Sequence, residues 1–183
     1  MSAQKPTSKR TGASRPKKTA SQLLKTIAVP RIGADWPGED GKFVAIVRGE
    51  KGQPDYRLIA PIHKSATFKG TWGQAERVKG ADSEYDGLAN TQAMAATGSE
   101  IAKRALATQI GKHKDFYIAS PQELRLMRAN TPELLPAGWT WTSRQSAATS
   151  YYAYAQYFAG GYQAGYHKVT EFWVRLVRRI PIQ

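Results

Sequence analysis

The chain contains no cysteine, and that absence removes disulfides, thiolate metal sites, cysteine nucleophiles and thiol redox switching together. Histidine is scarce as well. His63, His113 and His167 are the only three, and no pair has helix-type metal-ligand spacing. No phosphate-binding loop, dinucleotide fingerprint or nucleophile-elbow motif is present. No stretch approaches the roughly 20 apolar residues that cross a bilayer. The basic N-terminal stretch is followed by no apolar segment or small-residue cleavage site, so a chain made in the cytoplasm without a signal peptide is expected. Asp82, Glu84 and Asp86 form the one local carboxylate cluster, but it lacks the further ligands and terminal Glu of a calcium loop and reads as a polar turn before a helix. No metal, no cofactor and no catalytic constellation are expected, and the chain reads as non-enzymatic.

What is present begins with charge. Lys5, Lys9, Arg10, Arg15, Lys17, Lys18 and Lys25 all precede the first acidic residue, Asp35. Without these seven, 20 Lys and Arg face 14 Asp and Glu, so more than half of the +13 net charge is a property of the N-terminal stretch. Residues 1–25 are polar, lack apolar periodicity and read as a disordered basic arm. Such an arm, through Lys5, Lys9, Arg10, Arg15, Lys17 and Lys18, suits docking on an acidic protein partner or weak, salt-dependent contact with nucleic acid.

Residues 26–183 are long enough for one domain with a core of its own. The runs Phe43 to Val47 and Tyr56 to Ile62 are apolar and β-favouring, with Gly and Pro between them, and predict a hairpin. Trp36 to Gly41 reads as a loop setting a tryptophan beside the first strand. Between Asp86 and Ile110 good helix formers dominate, and Gly98 splits them in two. Leu88 and Met94 mark one apolar side. Ser99 is the candidate cap of the second helix, with Ile101, Ala102, Ala105, Leu106 and Ile110 as its apolar stripe. A third helix is announced by Ser120 as N-cap, Pro121 at the first position and Glu123 at the third. Beyond Gly138, Trp139 to Thr142, Tyr151 to Phe158 and Glu171 to Ile180 read as strands. In the last of these, Arg175 and Arg179 alternate with Val174, Leu176 and Ile180, predicting one buried and one basic face. The fold class is α+β.

Six of the nine tyrosines fall between Tyr151 and Tyr166, on a background of Ala, Gly and Gln. Tyrosine gives a large, rigid, amphipathic contact at low entropy cost, and small neighbours leave the rings reachable. A two-faced strand with one buried face would show the same alternation. Gly160, Gly161 and Gly165 favour the surface reading, because they break the run where a core strand would continue.

The C-terminal part resembles a known family in the order of its motifs. His113 to Leu124, Gly138 to Ser143, Tyr157 to Gly161 and Val174 to Arg179 together resemble the Lcl C-terminal domain family, which is related to the C-type lectin fold and common in phage and bacterial surface proteins. The resemblance covers about residues 113–183, and the segment from Trp36 to Ile59 resembles phage-encoded members. It implies a C-type-lectin-like domain in which Trp139, Trp141 and the Val174 to Arg179 strand are framework and Arg144 to Lys168 is the displayed part. It is also similar to the variable proteins of diversity-generating retroelements, where such a surface is diversified. Ile118-Ala119-Ser120 stands where the family has Leu-Pro-Ser or Leu-Pro-Thr. The calcium signatures of sugar-binding C-type lectins are absent, and so are the cysteines of the related oxidases.

These readings converge on a ligand-recognition protein, a phage tail-associated or surface adhesin that displays Arg144, Tyr151, Tyr152, Tyr154, Tyr162, Gln163 and Tyr166. The expected partners are a bacterial surface protein or glycan and other virion or tail proteins, without membrane insertion. The alternative is a nucleic-acid-binding or structural virion protein using the arm, with Arg175, Arg178 and Arg179 as a second contact.

Overall fold

The structure, a computed structural model, describes residues 28–50 and 52–183. Lys5, Lys9, Arg10, Arg15, Lys17 and Lys18, with the rest of the expected arm, lie outside the described residues. In chain order the elements are β1 (Asp35–Trp36), β2 (Gly41–Val47), β3 (Tyr56–Pro61), β4 (Thr67–Thr71), α1 (Gly87–Ala96), α2 (Glu100–Ala107), β5 (Tyr117–Ile118), α3 (Pro121–Asn130), β6 (Trp139–Gln145), β7 (Tyr152–Tyr157), β8 (Tyr162–His167) and β9 (Glu171–Pro181). The α+β expectation holds as a large, mostly antiparallel sheet with three α-helices among the described residues.

The strand that organises this sheet is β9. Its first half pairs antiparallel with β4 from Glu171↔Thr71 to Arg175↔Thr67, its middle pairs with β5, and its second half pairs with β3 up to Pro181↔Tyr56. Trp173 and Val174 also pair parallel with Thr140 and Trp141 of β6. The main path therefore runs β1-β2-β3-β9-β6-β7-β8, which puts β8 at one end. Side chains alternate along a strand, so β9 divides two cores. Val174 and Leu176 enter one with Trp72, Met94, Ile101, Phe116 and Trp141; Val177 enters the other with Leu58, Tyr117, Leu124 and Met127.

The hairpin β2–β3 forms where the sequence places it, with a register shift between Phe43 and Ala45. Trp36 sits beside it, edge-on to Phe43 at 5.8 Å between ring centroids. Gly98, at φ 95°, separates α1 from α2, in the left-handed region that glycine enters without steric cost. The capping box of α3 is complete: Ser120 Oγ accepts from the Glu123 N–H, and the Glu123 carboxylate accepts from the Ser120 N–H.

Three local expectations need correction. Ser99 precedes α2 but does not cap it through its side chain; its hydroxyl donates to the Trp72 carbonyl at 2.6 Å. Ile110 lies beyond α2, in an isolated bridge with His113. The basic face expected on β9 is internal: Arg175 and Arg178 are buried. Arg178 pairs with Asp115 at 2.9 Å and with Glu39. Arg175 donates to Thr67 Oγ1 at 3.0 Å and to the Pro61 carbonyl, and burial lowers its pKa to about 10. Arg179 pairs with Asp86 at 3.0 Å and lies over the Tyr56 ring. A strand that joins two cores has no solvent face in its middle, so its cations take partners inside the protein.

Candidate recognition site

The tyrosine-rich segment folds as the hairpin β7–β8, paired from Tyr157↔Tyr162 to Tyr152↔His167. Gly161, at φ 73°, closes the turn, and its N–H donates to the Tyr157 carbonyl at 2.8 Å. Gly165, expected as a turn point, lies inside β8 instead, opposite Tyr154. The Lys168 N–H donates to the Tyr151 carbonyl at 2.9 Å. Antiparallel pairs alternate between bonded and non-bonded, so the backbone groups of Gln163, Gly165 and His167 point outward along the end of the sheet.

Alternation on the observed register distributes the displayed residues over two faces. Ala153, Ala155, Tyr157, Tyr162, Ala164 and Tyr166 share the core-side face; Tyr152, Tyr154, Gln156, Gln163, Gly165 and His167 share the far face. Tyr166 is half-buried, edge-on to Trp139 at 4.6 Å and to Phe172 at 4.9 Å, so it serves the framework as well as the surface. Tyr162 lies on the same face beyond the core, at the hairpin tip, and is 65% exposed. On the far face Tyr152 is 42% exposed, and Tyr151, just before β7, is 55% exposed; both flank the His167 ring. Tyr154 is half-buried beneath Arg144, whose guanidinium carbon lies 5.1 Å from the ring centroid.

A polar network links this far face to α3 and to the loop before α1. Glu84 receives both Arg144 and Arg125. Arg125 also donates to Gln163 at 3.3 Å, and Gln156 Nε2 donates to Gln163 Oε1 at 3.0 Å and to the Pro121 carbonyl at 2.9 Å. Asp82 accepts from Gln145, and Asp86 caps α1 through the Ala89 N–H. The acidic turn thus spends its carboxylates on neighbouring cations and amides. Among the described residues no group of three or more His, Cys, Asp or Glu is arranged to hold a metal ion.

Beneath the hairpin, the segment from Trp72 to Asp82 straps across the end of β6. Arg77 donates to the carbonyls of Ser146 and Ala147, and Trp72 Nε1 donates to the Thr142 carbonyl at 2.9 Å. Lys168, which the resemblance assigned to the displayed part, is buried here. Its ammonium reaches the Glu76 carbonyl and Gln145 Oε1, and lies 4.6 Å from the Trp72 ring centroid. Burial lowers its pKa to about 8; Arg77 pushes the same way and Asp82 opposes them.

That depressed value gives a pH signature. An unfolded lysine titrates near 10.4, so between about pH 8 and 10 the unfolded chain holds a proton that folded Lys168 has given up. Stability then rises with pH. Urea unfolding is expected to gain about 2 kcal/mol over this window, and Lys168→Met to flatten the rise. Above about pH 10 the buried phenols of Tyr56 and Tyr117, whose pKa values burial pushes up, turn the curve down, because unfolded tyrosine ionises there first. A parent profile with no rise from pH 8 to 10 would contradict this account of Lys168.

No family model and no curated protein matches the sequence.

Two concave regions adjoin the site. At the hairpin tip, a pocket of about 170 Å³ lies between α3 and the β7–β8 turn, lined by Arg125, Arg128, Gln156, Tyr157, Tyr162 and Gln163. On the other side of Glu84, an open groove of about 680 Å³ is bounded by Ile46, Arg48, Tyr85, Gln122 and Leu126. Sequence reasoning named Gln163 and Tyr162 but missed Arg125, Arg128 and Gln156. Both arginines lie on the exposed side of a helix that reads as scaffold, and only the i,i+3 spacing of Arg125 and Arg128 hinted at a shared face.

Proposed function

We propose that this chain is a non-enzymatic recognition protein, a phage tail-associated or other virion-borne adhesin of C-type-lectin-like architecture, with the β7–β8 hairpin as its ligand-contacting part. The observation that carries this reading is the exposure of Tyr151, Tyr152 and Tyr162 on one hairpin. Tyr151 and Tyr152 mark the base of the hairpin and Tyr162 its tip, and large aromatics held at a surface suit an interface, since a free monomer gains nothing from wetting them. The support beneath them is rigid: Ala153 and Ala155 are sealed in the core, and Lys168 and Gln145 anchor the hairpin's base. Preorganised aromatics on small-residue strands bind at low entropic cost. The C-type-lectin-like assignment draws on the resemblance and on a terminal sheet, β6 to β9, that ends in a displayed hairpin. Diversification of this hairpin, as in retroelement variable proteins, belongs to the same reading.

Adhesion to intact bacterial cells tests it. Tyr152→Ala with Tyr154→Ala is expected to cut adhesion at least tenfold if the far face carries contact, and Tyr162→Ala to do so if the tip does. Tyr152→Ala and Tyr162→Ala alone should shift stability by no more than about 0.5 kcal/mol, as exposed positions do. Full adhesion by all variants, or no adhesion by the parent chain to any of a broad strain panel, would end this reading.

A further inference from the structure

The tip pocket has an unusual balance of open hydrogen-bonding groups. Arg128 Nε donates to the Phe158 carbonyl at 3.0 Å, which fixes the guanidinium across the turn. It lies directly over Gly161: a Cβ built there would sit 2.9 Å from the guanidinium carbon and from both terminal nitrogens. Those two terminal nitrogens have no hydrogen bond and no carboxylate partner among the described residues. Arg125 beside it is committed to Glu84, Gln122 and Gln163. Arg128 is therefore a positioned cation with its fork open.

The two amides opposite are oriented by the same network. Gln156 is 5% exposed, and its amide nitrogen is spent on Pro121 and Gln163. That leaves its carbonyl oxygen without a partner, and this atom is not among the sealed, unpartnered polar atoms of the described residues. Gln163 is the reverse: its oxygen accepts from Arg125 and Gln156, so its amide nitrogen is the free end. The pocket thus offers an open guanidinium fork, one acceptor and one amide donor, with Tyr157, Gly161 and Tyr162 forming the hairpin wall.

We propose that this pocket binds an acidic sugar residue of the hexuronate class; the proposal rests on the recognition reading and names its ligand. A carboxylate matches the open fork of Arg128, for which planar, two-point pairing is the strongest arrangement. A ring hydroxyl can donate to the Gln156 oxygen and another accept from Gln163. Phosphate would satisfy the arginine but brings no ring to carry hydroxyls to the two amides, while a neutral hexose brings no charge to the open fork. About 170 Å³ is small for a drug-like ligand and suits one ring rather than an extended oligosaccharide.

The test titrates the full chain with sodium glucuronate and sodium galacturonate, followed by ligand-observed NMR, with glucose and sodium phosphate as comparison probes. At least one hexuronate is expected to bind with a Kd of about 0.1–1 mM, the range for a single small ring, and at least tenfold tighter than glucose or phosphate. Arg128→Gln and Gln156→Leu should each weaken it tenfold or more, and Arg128→Lys, which keeps the charge but loses the fork, by less. Because Arg128 is exposed, its variants are expected to fold as the parent does, checked by matched unfolding curves. Equal binding of glucose and glucuronate, phosphate as tight as the hexuronates, or no effect of Arg128→Gln would overturn the proposal. Cell adhesion by a chain that ignores hexuronates would also overturn it while keeping the recognition reading. Hexuronate binding without adhesion to any strain would do the opposite.

Discussion

Glu123→Ala is expected to remove about 3–5 kcal/mol of folding free energy, measured by urea unfolding at neutral pH. Glu123 is fully buried at the start of α3. One carboxylate oxygen accepts from Tyr56 Oη at 2.8 Å and Tyr117 Oη at 2.6 Å; the other accepts from the Ser120 N–H at 2.7 Å. Alanine leaves these donors without an acceptor in a place water does not reach, and each unmade bond costs its full desolvation. Glu123→Gln keeps the shape but turns an amide donor toward one of the existing donors, so an intermediate loss is expected. Burial raises the Glu123 pKa, against the hydrogen bonds from Ser120, Tyr117 and Tyr56 that lower it. A raised carboxyl pKa contributes stability that is complete below about pH 4.3 and is lost as pH climbs through the folded value. Glu123→Gln should abolish that acid-side slope. A loss below about 1 kcal/mol for Glu123→Ala would show that this network contributes little.

Gln145→Leu is expected to cost about 3–4 kcal/mol although it substitutes an apolar side chain of similar size into a fully buried position. The Gln145 amide nitrogen donates to the Val78 carbonyl at 2.6 Å and to Asp82 at 2.9 Å, while its oxygen accepts from the Val78 N–H at 2.9 Å and from Lys168 Nζ at 3.2 Å. It therefore acts as a splint for the Trp72 to Asp82 strap and as half of the ammonium's solvation. Leucine offers none of these bonds and leaves the Lys168 charge with the Glu76 carbonyl. Hydrogen exchange should localise the damage. Val78 and Lys168 amides are expected to lose protection well before the β2–β3 hairpin does, because that hairpin packs in the other core. Uniform loss of protection across both cores would refute the splint role.

The elements that could be read from the sequence are those whose signals are local. The β2–β3 hairpin carried its own turn residues, and the α3 capping box lay within four consecutive residues. The faces of the tyrosine hairpin were only half legible. Period-2 alternation separates Tyr152 and Tyr154 from Ala153 and Ala155, but relating Tyr162 and Tyr166 to them requires the register, which the turn at Gly161 sets. A shift of one residue would have put Tyr166 on the far face. The buried polar groups gave no signal at all. Lys168, Gln145 and Arg175 look like surface residues until Glu76, Val78 and Pro61, distant in the chain, arrive to bond them. Ser99 misled for a similar reason: a cap position is local, but the Trp72 carbonyl that takes its hydroxyl is not.

The placement of β9 has a consequence for how the protein is made. Among the described residues β4 and β5 pair with this strand alone, β3 and β6 take it as their second partner beside β2 and β7, and all four leave the ribosome before it does. Until Glu171 to Pro181 emerges, the nascent chain holds local hairpins and helices around a vacant slot, and the ladder from Tyr56 to Pro181 must close over most of the described chain. Translation that stops short of β9 should yield a chain that is caught by proteases rather than one that displays the hairpin. The binding surface is thereby coupled to completion of the strand behind it, a form of proofreading written into the order of synthesis.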